Sequence, residues 1–143
     1  MQRRVFIREC GMGCLGVLAS GLLLQRCAGT RYITGIIEGS YLNIPEDDFL
    51  KEDNSYLQHV VVQNEVLQYP IVVLRFSTNE YRAFLMKCTH QGTELQVFGD
   101  RLQCPAHGSE FTNNGNVQNG PADTSLRSFP VIKESKTIKI DLS

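Results

Sequence analysis

Short apolar runs separated by turn-forming residues make up most of the chain after Arg31. Residues 57–63 are rich in Val, residues 69–76 are apolar almost throughout, and residues 81–87 alternate between apolar and polar. Runs of this length and composition predict β-strands. We expect residues 32–37 to open the fold as a strand, with residues 40–44 continuing it. The pattern therefore predicts an all-β fold.

Turn signals divide the rest of this region into hairpins. Residues 94–98 and 101–103 are predicted to pair across Gly99-Asp100, and residues 126–133 and 136–142 to form a closing hairpin through Glu134-Ser135. Residues 45–55 are acidic and are interpreted as a solvated loop. The expected fold is an antiparallel sandwich of two or three stacked sheets, with a small subdomain at its tip.

The first 29 residues have a different character. Arg3 and Arg4 precede Val5-Phe6, and an apolar, glycine-containing run follows over residues 11–24. As a helix this run would reach about 21 Å at ~1.5 Å per residue, which is shorter than the ~30 Å hydrocarbon core of a bilayer. The segment resembles a twin-arginine export signal with its apolar region. A buried helix of the fold is the alternative, and the glycines and the arginine pair argue against it.

Two outcomes for this signal stay open. Leu24 and Cys27 match a lipoprotein box, although Arg26 stands where a small residue is expected. Alternatively, residues 5–24 stay uncleaved as an N-terminal anchor helix. Either outcome predicts a protein exported across the cytoplasmic membrane, periplasmic or anchored to the membrane and facing the periplasm, with residues 1–29 as signal or anchor.

Charge and cysteine usage also separate the leader from the domain. The chain has 14 Lys and Arg against 15 Asp and Glu, and after the leader 10 basic and 14 acidic residues remain, a net charge of −4. That balance argues against nucleic acid as a partner. Of five cysteines, only Cys88 and Cys104 lie outside the leader. The domain thus has no spare pair for a structural disulfide, and we expect its core and a bound metal to stabilise it.

Those two cysteines stand in two similar motifs, Cys88-Thr89-His90-Gln91-Gly92 and Cys104-Pro105-Ala106-His107-Gly108. Two thiolates and two imidazoles form a strong site for a soft metal. A structural zinc site is one alternative, although such sites more often place Cys beside Cys and His beside His. A disulfide between Cys88 and Cys104 is another, but it leaves both histidines and the glycines unexplained.

With Ser109 included, the two motifs resemble those of the Rieske iron–sulfur family. Gly120-Pro121-Ala122, together with Pro130, resembles the proline loop that covers the family's cluster. The resemblance extends over residues 31–143, with a cluster-binding subdomain at about 86–123. It implies one [2Fe–2S] cluster per chain, with Cys88 and Cys104 on one iron and His90 and His107 on the other. Replacing two Cys by two His raises the potential of such a cluster to about −150 to +300 mV.

The resemblance also assigns expected roles to residues around the ligands. Ser109 matches a serine whose hydroxyl bonds a bridging sulfide and raises the potential. Phe111 stands where high-potential members have Tyr, whose hydroxyl bonds a cysteine sulfur. Thr93 and Ala106 stand where many quinol-oxidising members have a pair of disulfide-bonded cysteines. Two of three potential-raising features are therefore expected to be missing here.

Gly92 and Gly108 have two interpretations. Their lack of a side chain lets backbone N–H groups approach the cluster sulfurs, or it satisfies the turn geometry alone. The resemblance further implies that each ligand histidine binds through Nδ1 and leaves Nε2 at the surface. Electron uptake and proton uptake at His90 and His107 would then be coupled.

The expected function is one-electron transfer, with no catalytic residue of its own. His59 is the only histidine outside the motifs and is interpreted as an ordinary strand residue, so the mononuclear iron site of an oxygenase terminal component is not expected in this short chain. The first hypothesis is an exported relay or small subunit of a periplasmic oxidoreductase. The second is the quinol-oxidising subunit of a respiratory bc-type complex, and the third is a structural-zinc binding module. The expected partner is a redox protein or a quinol, with membrane association through the N-terminus.

Overall fold

A computed structural model describes residues 29–143, so the predicted signal lies, apart from Gly29, outside the described residues. No helix in this part of the chain has the length and apolar character needed to cross a membrane. Thirteen strands and one short 3-10 helix, Glu46–Phe49, form the described fold. The strands are β1 Tyr32–Thr34, β2 Ile36–Glu38, β3 Tyr41–Pro45, β4 His59–Gln63, β5 Ile71–Arg75, β6 Tyr81–Leu85, β7 Gln96–Phe98, β8 Arg101–Gln103, β9 Glu110–Thr112, β10 Val117–Asn119, β11 Ser128–Phe129, β12 Val131–Glu134 and β13 Thr137–Asp141.

The strands form three stacked sheets, as the sequence predicted. A central five-stranded sheet has the order β1-β4-β5-β6-β11, and two four-stranded sheets, β12-β13-β3-β2 and β10-β9-β8-β7, cover its two faces. Because both faces of the central sheet are buried, its strands are apolar at consecutive positions rather than alternating. Val60 and Val62 face the first core, and Val61 between them faces the second. This explains the unbroken Val run.

The opening strand is divided between two sheets at Gly35. β1 pairs with β4 in the central sheet, whereas β2 forms a hairpin with β3 in an outer sheet. The β1–β4 pair is parallel, an exception to the antiparallel pairing expected from the sequence. A Cβ on Gly35 would lie 2.6 Å from a Leu42 carbon and 2.7 Å from a Val62 carbon. The chain therefore passes between the sheets at a position with no room for a side chain.

The predicted closing strand over residues 126–133 is likewise divided, at Pro130. β11 pairs with β6 in the central sheet, and β12 pairs with β13 in the outer one. Proline has no N–H to donate to a ladder, so it marks a natural exit from a sheet. Pro130 is therefore the junction of two strands and not part of the loop around Pro121. The closing turn is one residue later than predicted, at Ser135-Lys136.

The remaining outer sheet is the predicted tip subdomain. Its β7 and β8 pair across Gly99-Asp100, with Val97 opposite Leu102, as the sequence predicted. β9 and β10 extend the sheet through the predicted turn at 113–116. The chain enters this subdomain after β6 and leaves it before β11, so two neighbouring strands of the central sheet support it. Both motif cysteines lie in the core between these two sheets.

Candidate metal centre

The two motifs form loops with the same backbone hydrogen-bond frame. In the first loop Gly92 N–H donates to the Cys88 carbonyl oxygen (2.8 Å), and Cys88 N–H donates to the Thr93 carbonyl oxygen (2.8 Å). In the second, Gly108 N–H donates to the Cys104 carbonyl oxygen (3.0 Å), and Cys104 N–H donates to the Ser109 carbonyl oxygen (2.8 Å). The first loop follows β6, and the second follows β8. Two equivalent loops thus present their side chains at one end of the tip subdomain.

This geometry separates the sulfurs from the imidazoles. Cys88 and Cys104 are each 1% exposed, and both are free thiols. No disulfide therefore joins them, in contrast to one alternative considered from the sequence. His90 and His107 are exposed, and their rings meet edge to face with 5.1 Å between centroids. The structure therefore brings all four predicted ligands together, with two soft sulfur donors inside and two nitrogen donors at the surface.

Gly92 and Gly108 meet the turn requirement of these loops. Their φ angles are +77° and +78°, a conformation that side-chain-bearing residues rarely adopt. Their own N–H groups are used by the Cys88 and Cys104 carbonyl oxygens. Of the two interpretations made from the sequence, turn geometry is the one that the hydrogen bonds support.

The Cys104 sulfur receives its polar contacts from other groups. Burial by itself would raise the pKa of the Cys104 thiol, but the backbone N–H groups of His107 and Ala106 outweigh it, with help from the side chains of Cys88 and Thr93, and the pKa is lowered. The environment therefore favours a thiolate, which is the form that binds metal. Thr93 was singled out from the sequence only for a missing disulfide, and its polar contribution was not expected.

The loop around Pro121 closes over the site by two hydrogen bonds. Ala122 N–H donates to the Ser109 Oγ (3.0 Å), where both residues are buried. Thr89 Oγ1 donates to the Thr124 carbonyl oxygen (2.6 Å). One bond holds the second ligand loop and the other holds the first. The predicted covering loop is thus tied to both halves of the site, and its exposed Pro121 follows a cis peptide bond with Gly120.

Two aromatic residues contact the surroundings of the site from the interior of the domain. Phe111 is completely buried in the core that contains both cysteines. Tyr69 donates its hydroxyl hydrogen to the Gly92 carbonyl oxygen at 2.7 Å, which anchors the first ligand loop to the central sheet. The sequence did not identify Tyr69, because it precedes Pro70 and looked like the first residue of a buried strand.

His59 lies apart from the metal centre, in agreement with its sequence interpretation. It begins β4 and lines a cavity of about 300 Å³ between the central sheet and the β7–β8 hairpin, together with Leu74 and Arg101. Burial lowers the pKa of its imidazole. His59 is therefore a neutral strand residue near neutral pH.

The Rieske [2Fe–2S] domain model matches residues 46–130, which include both ligand loops and the loop that covers them. The chain belongs to the Rieske family. The chain therefore carries a [2Fe–2S] cluster and takes part in iron–sulfur electron transfer with a redox partner. Two buried cysteines and two exposed histidines are the donor set that such a cluster uses, and this family membership favours iron over the structural-zinc alternative.

A curated relative of this Rieske chain is the chloroacetanilide N-alkylformylase, oxygenase component, of Rhizorhabdus wittichii (strain DC-6 / KACC 16600). It is 29% identical over 87 residues, which cover 54% of this chain and 25% of the relative. The chain thus spans about a quarter of the length of the curated relative that it matches. The activity of that whole protein therefore does not transfer with the match.

Solved structures share the fold. The cyanobacterial plasma membrane Rieske protein PetC3 from Synechocystis PCC 6803 aligns at a TM-score of 0.51 and 23% identity, covering 59% of this chain and 86% of that one. A chain in the complex of reduced oxygenase and oxidized ferredoxin in carbazole 1,9a-dioxygenase aligns at 0.55 and 19% identity, covering 73% and 95%. The quaternary ammonium Rieske monooxygenase CntA with L-carnitine aligns at 0.57 and 19%, covering 73% and 32%.

Proposed function

We propose that Cys88, Cys104, His90 and His107 hold the cluster, and that this Rieske protein works as an exported one-electron relay or as the small subunit of a periplasmic oxidoreductase. The observation that carries the proposal is the pair of equivalent loops, which bury two sulfurs and expose two imidazoles 5.1 Å apart. When bound, the cluster accepts and donates single electrons.

The residues of the chain determine where that electron can be exchanged. The two cysteine sulfurs are shielded from solvent by the core around them and by the covering loop, which the hydrogen bond from Ala122 N–H to Ser109 Oγ holds in place. His90 and His107 are exposed, and a partner can contact only this side of the site directly. The same imidazoles can hold or release a proton at their outer nitrogen, so the exposed edge can exchange an electron and a proton together.

Export is supported by the leader, in which Arg3 and Arg4 precede an apolar run. A quinol-oxidising respiratory subunit is the second candidate function, because residues 5–24, if left uncleaved, would supply the N-terminal anchor such a subunit needs. Phe111, Thr93 and Ala106 favour the relay, since they remove the Tyr and the cysteine pair of high-potential relatives. The midpoint potential discriminates between the two candidates.

The cluster assignment is tested by metal analysis and electron paramagnetic resonance. We expect about two irons and two acid-labile sulfides per chain, and a Rieske-type signal from reduced protein. His107→Ala should abolish the signal, whereas His59→Ala is the matched control and should keep it. Stoichiometric zinc without iron in protein from the native host would refute the assignment.

The export assignment is tested by changing Arg3 and Arg4 together to Lys, with Arg8→Lys as the control. An iron–sulfur cluster is assembled in the cytosol, so the domain must cross the membrane already folded, which a twin-arginine route permits. We expect the double variant to leave cluster-loaded protein in the cytoplasm and Arg8→Lys to be exported. Normal export of the double variant would contradict the proposal.

A further inference from the structure

A cleft of about 650 Å³ opens beside His90, at the surface where the ligand loops are exposed. Its lining includes Thr89, His90 and Gln91 of the first ligand loop, together with Thr124 and Arg127. Lys87 also lines the cleft, with Leu85, Cys88 and Gly92. The cleft therefore joins the first ligand loop to the covering loop and contains two cationic side chains.

The strand register places these two cations on the same face of the central sheet. Phe84 pairs with Ser128, so Leu85 and Arg127 lie opposite each other, and Leu85 N–H donates to the Arg127 carbonyl oxygen at 2.9 Å. Lys87 is two residues beyond Leu85 and thus projects from the same face. Diagonal neighbours of this kind are typically about 7–8 Å apart. Both cations line the same cleft, so the surface of one partner can contact both.

Aromatic rings, rather than carboxylates, position both cations. The Arg127 guanidinium lies 4.8 Å from the Phe129 ring centroid, and the Lys87 ammonium lies 5.3 Å from that of Tyr69. Within residues 29–143 neither cation forms an ion pair, whereas Arg82, Arg101, Lys133 and Lys139 do. Their N–H donors are therefore available to a carboxylate from outside the described fold.

Two acidic residues close to these cations, Glu94 and Asp123, are not among the residues that line the cleft. Glu94 is bridged to Lys87 through the backbone but lines a different cleft, with Gln63 and Pro70. Asp123 accepts a hydrogen bond from the Thr124 hydroxyl at 3.1 Å and does not line this cleft. The described domain carries a net charge of −4, so this local positive surface is opposite in sign to the domain as a whole.

We propose that Lys87 and Arg127 select a redox partner protein with an acidic surface, whose carboxylates bind the two cations and bring its cofactor to His90. The proposal rests on the proposed electron-transfer function and adds the chemistry of the partner. Charges at the rim of an interface act mainly on the association rate and on its salt dependence. Steering by a charged cleft changes association rates by about 10- to 1000-fold.

The test measures electron transfer from the reduced, cluster-loaded protein to two small oxidants of opposite charge. Ferricyanide takes one electron as an anion, and tris(1,10-phenanthroline)cobalt(III) takes one as a cation. If the net charge of −4 controlled the encounter, it would repel ferricyanide, and NaCl would screen this repulsion. The reaction with ferricyanide would then become faster as the NaCl concentration rises. We expect the reverse for ferricyanide, a rate that falls with salt because the cleft attracts it.

Charge reversal then locates the effect. We expect the double variant Lys87→Glu and Arg127→Glu to react with ferricyanide about 10-fold or more slowly than the wild type at low salt. The same variant should react faster than the wild type with the cobalt complex. The matched control, Lys51→Glu with Lys136→Glu, changes the net charge equally on exposed loops away from the cleft and should alter each rate less than 2-fold. The double Gln variant of Lys87 and Arg127 repeats the measurement should the Glu variant not fold.

Protein partners give the final comparison. Electron transfer to a strongly acidic blue-copper protein should be slower from the Lys87 and Arg127 variants than from the wild type. Electron transfer to a strongly basic c-type cytochrome should not be slower. Equal rates in wild type and cleft variants, or the same change in the control variant, would overturn the inference. The resonance signal is recorded on every variant, so that absence of the cluster, which would refute the proposed function, is distinguished from loss of partner selection.

Discussion

The hydroxyl oxygen of Ser109 accepts a hydrogen bond from the backbone N–H of Ala122, 3.0 Å away, and both residues are buried. Because Ser109 uses its oxygen as the acceptor, its own hydroxyl hydrogen remains available as a donor to the metal centre. A single side chain thus connects the second ligand loop to the covering loop, and its hydroxyl hydrogen would be free to donate to a bound cluster.

Ser109→Ala should therefore affect both the potential and the stability. Loss of one hydrogen bond worth about 1 kcal/mol in the reduced state lowers a one-electron potential by about 40 mV, since 59 mV corresponds to tenfold. The buried Ala122 N–H also loses its partner, which costs about 1–3 kcal/mol. Redox titration followed by resonance measures the first effect, and thermal unfolding measures the second. Ser128→Ala, at an exposed serine of β11, is the control and should change neither.

Phe111→Tyr should raise the midpoint potential by tens of millivolts. Phe111 is fully buried in the core that holds both cysteines, and the family resemblance implies that a Tyr hydroxyl at this position bonds a cysteine sulfur. The wild-type midpoint should consequently lie below the upper end of the Rieske range, about +300 mV. Redox titration of both proteins tests this. A wild-type value at that upper end would favour the quinol-oxidising role instead.

Gly115→Ala should destabilise the domain more than Gly99→Ala does. Both glycines have positive φ, +78° and +62°, so both substitutions introduce about 1–2 kcal/mol of left-handed backbone strain. A Cβ on Gly115 would also lie 2.5 Å from the Phe84 ring, whereas one on Gly99 meets nothing within 4 Å. Overpacking of this kind adds about 1–3 kcal/mol. The difference between the unfolding midpoints of the two variants measures the contact alone, and equal midpoints would contradict it.

The pH dependence of stability should involve Glu46 and Lys133, which are 2.7 Å apart and mostly buried. The hydrogen bond from Lys133 holds the pKa of Glu46 below its usual value of 4.5, against the effect of burial. Since the folded pKa is lowered, this contribution is present above about pH 4.5 and is lost as the pH falls through the folded pKa.

Lys133→Met should thus lower the unfolding temperature at pH 7. As the pH falls below about 4.5, the unfolding temperature of the variant should fall less steeply than that of the wild type. Lys139→Met is the control, because Lys139 pairs with the exposed Glu134 and such surface pairs are worth about 0–1 kcal/mol. Unfolding temperatures measured from pH 3 to 7 test both. A parallel pH profile for Lys133→Met and wild type would exclude this ion pair as the source.

The sequence determined the chemistry of the site and most of the strands. Cys88, His90, Cys104 and His107 were identified from spacing and residue type, because metal ligands are few and their order is informative. The β7–β8 hairpin followed from Gly99-Asp100 between two apolar runs. The Val-rich run over residues 57–63 indicated a strand, and the structure adds that β4 is buried on both faces between the two cores.

Only the tertiary structure decided how distant segments meet. Gly35 and Pro130 divide apparently continuous strands between sheets, and although a Gly or Pro can mark an interruption, nothing local shows which sheet the next strand joins. The bond from Tyr69 to Gly92 spans 23 residues, and the cleft of Lys87 and Arg127 joins residues 40 apart. Local patterns report which face of an element is apolar. Contacts between elements depend on sheet order and register, which the whole core selects at once.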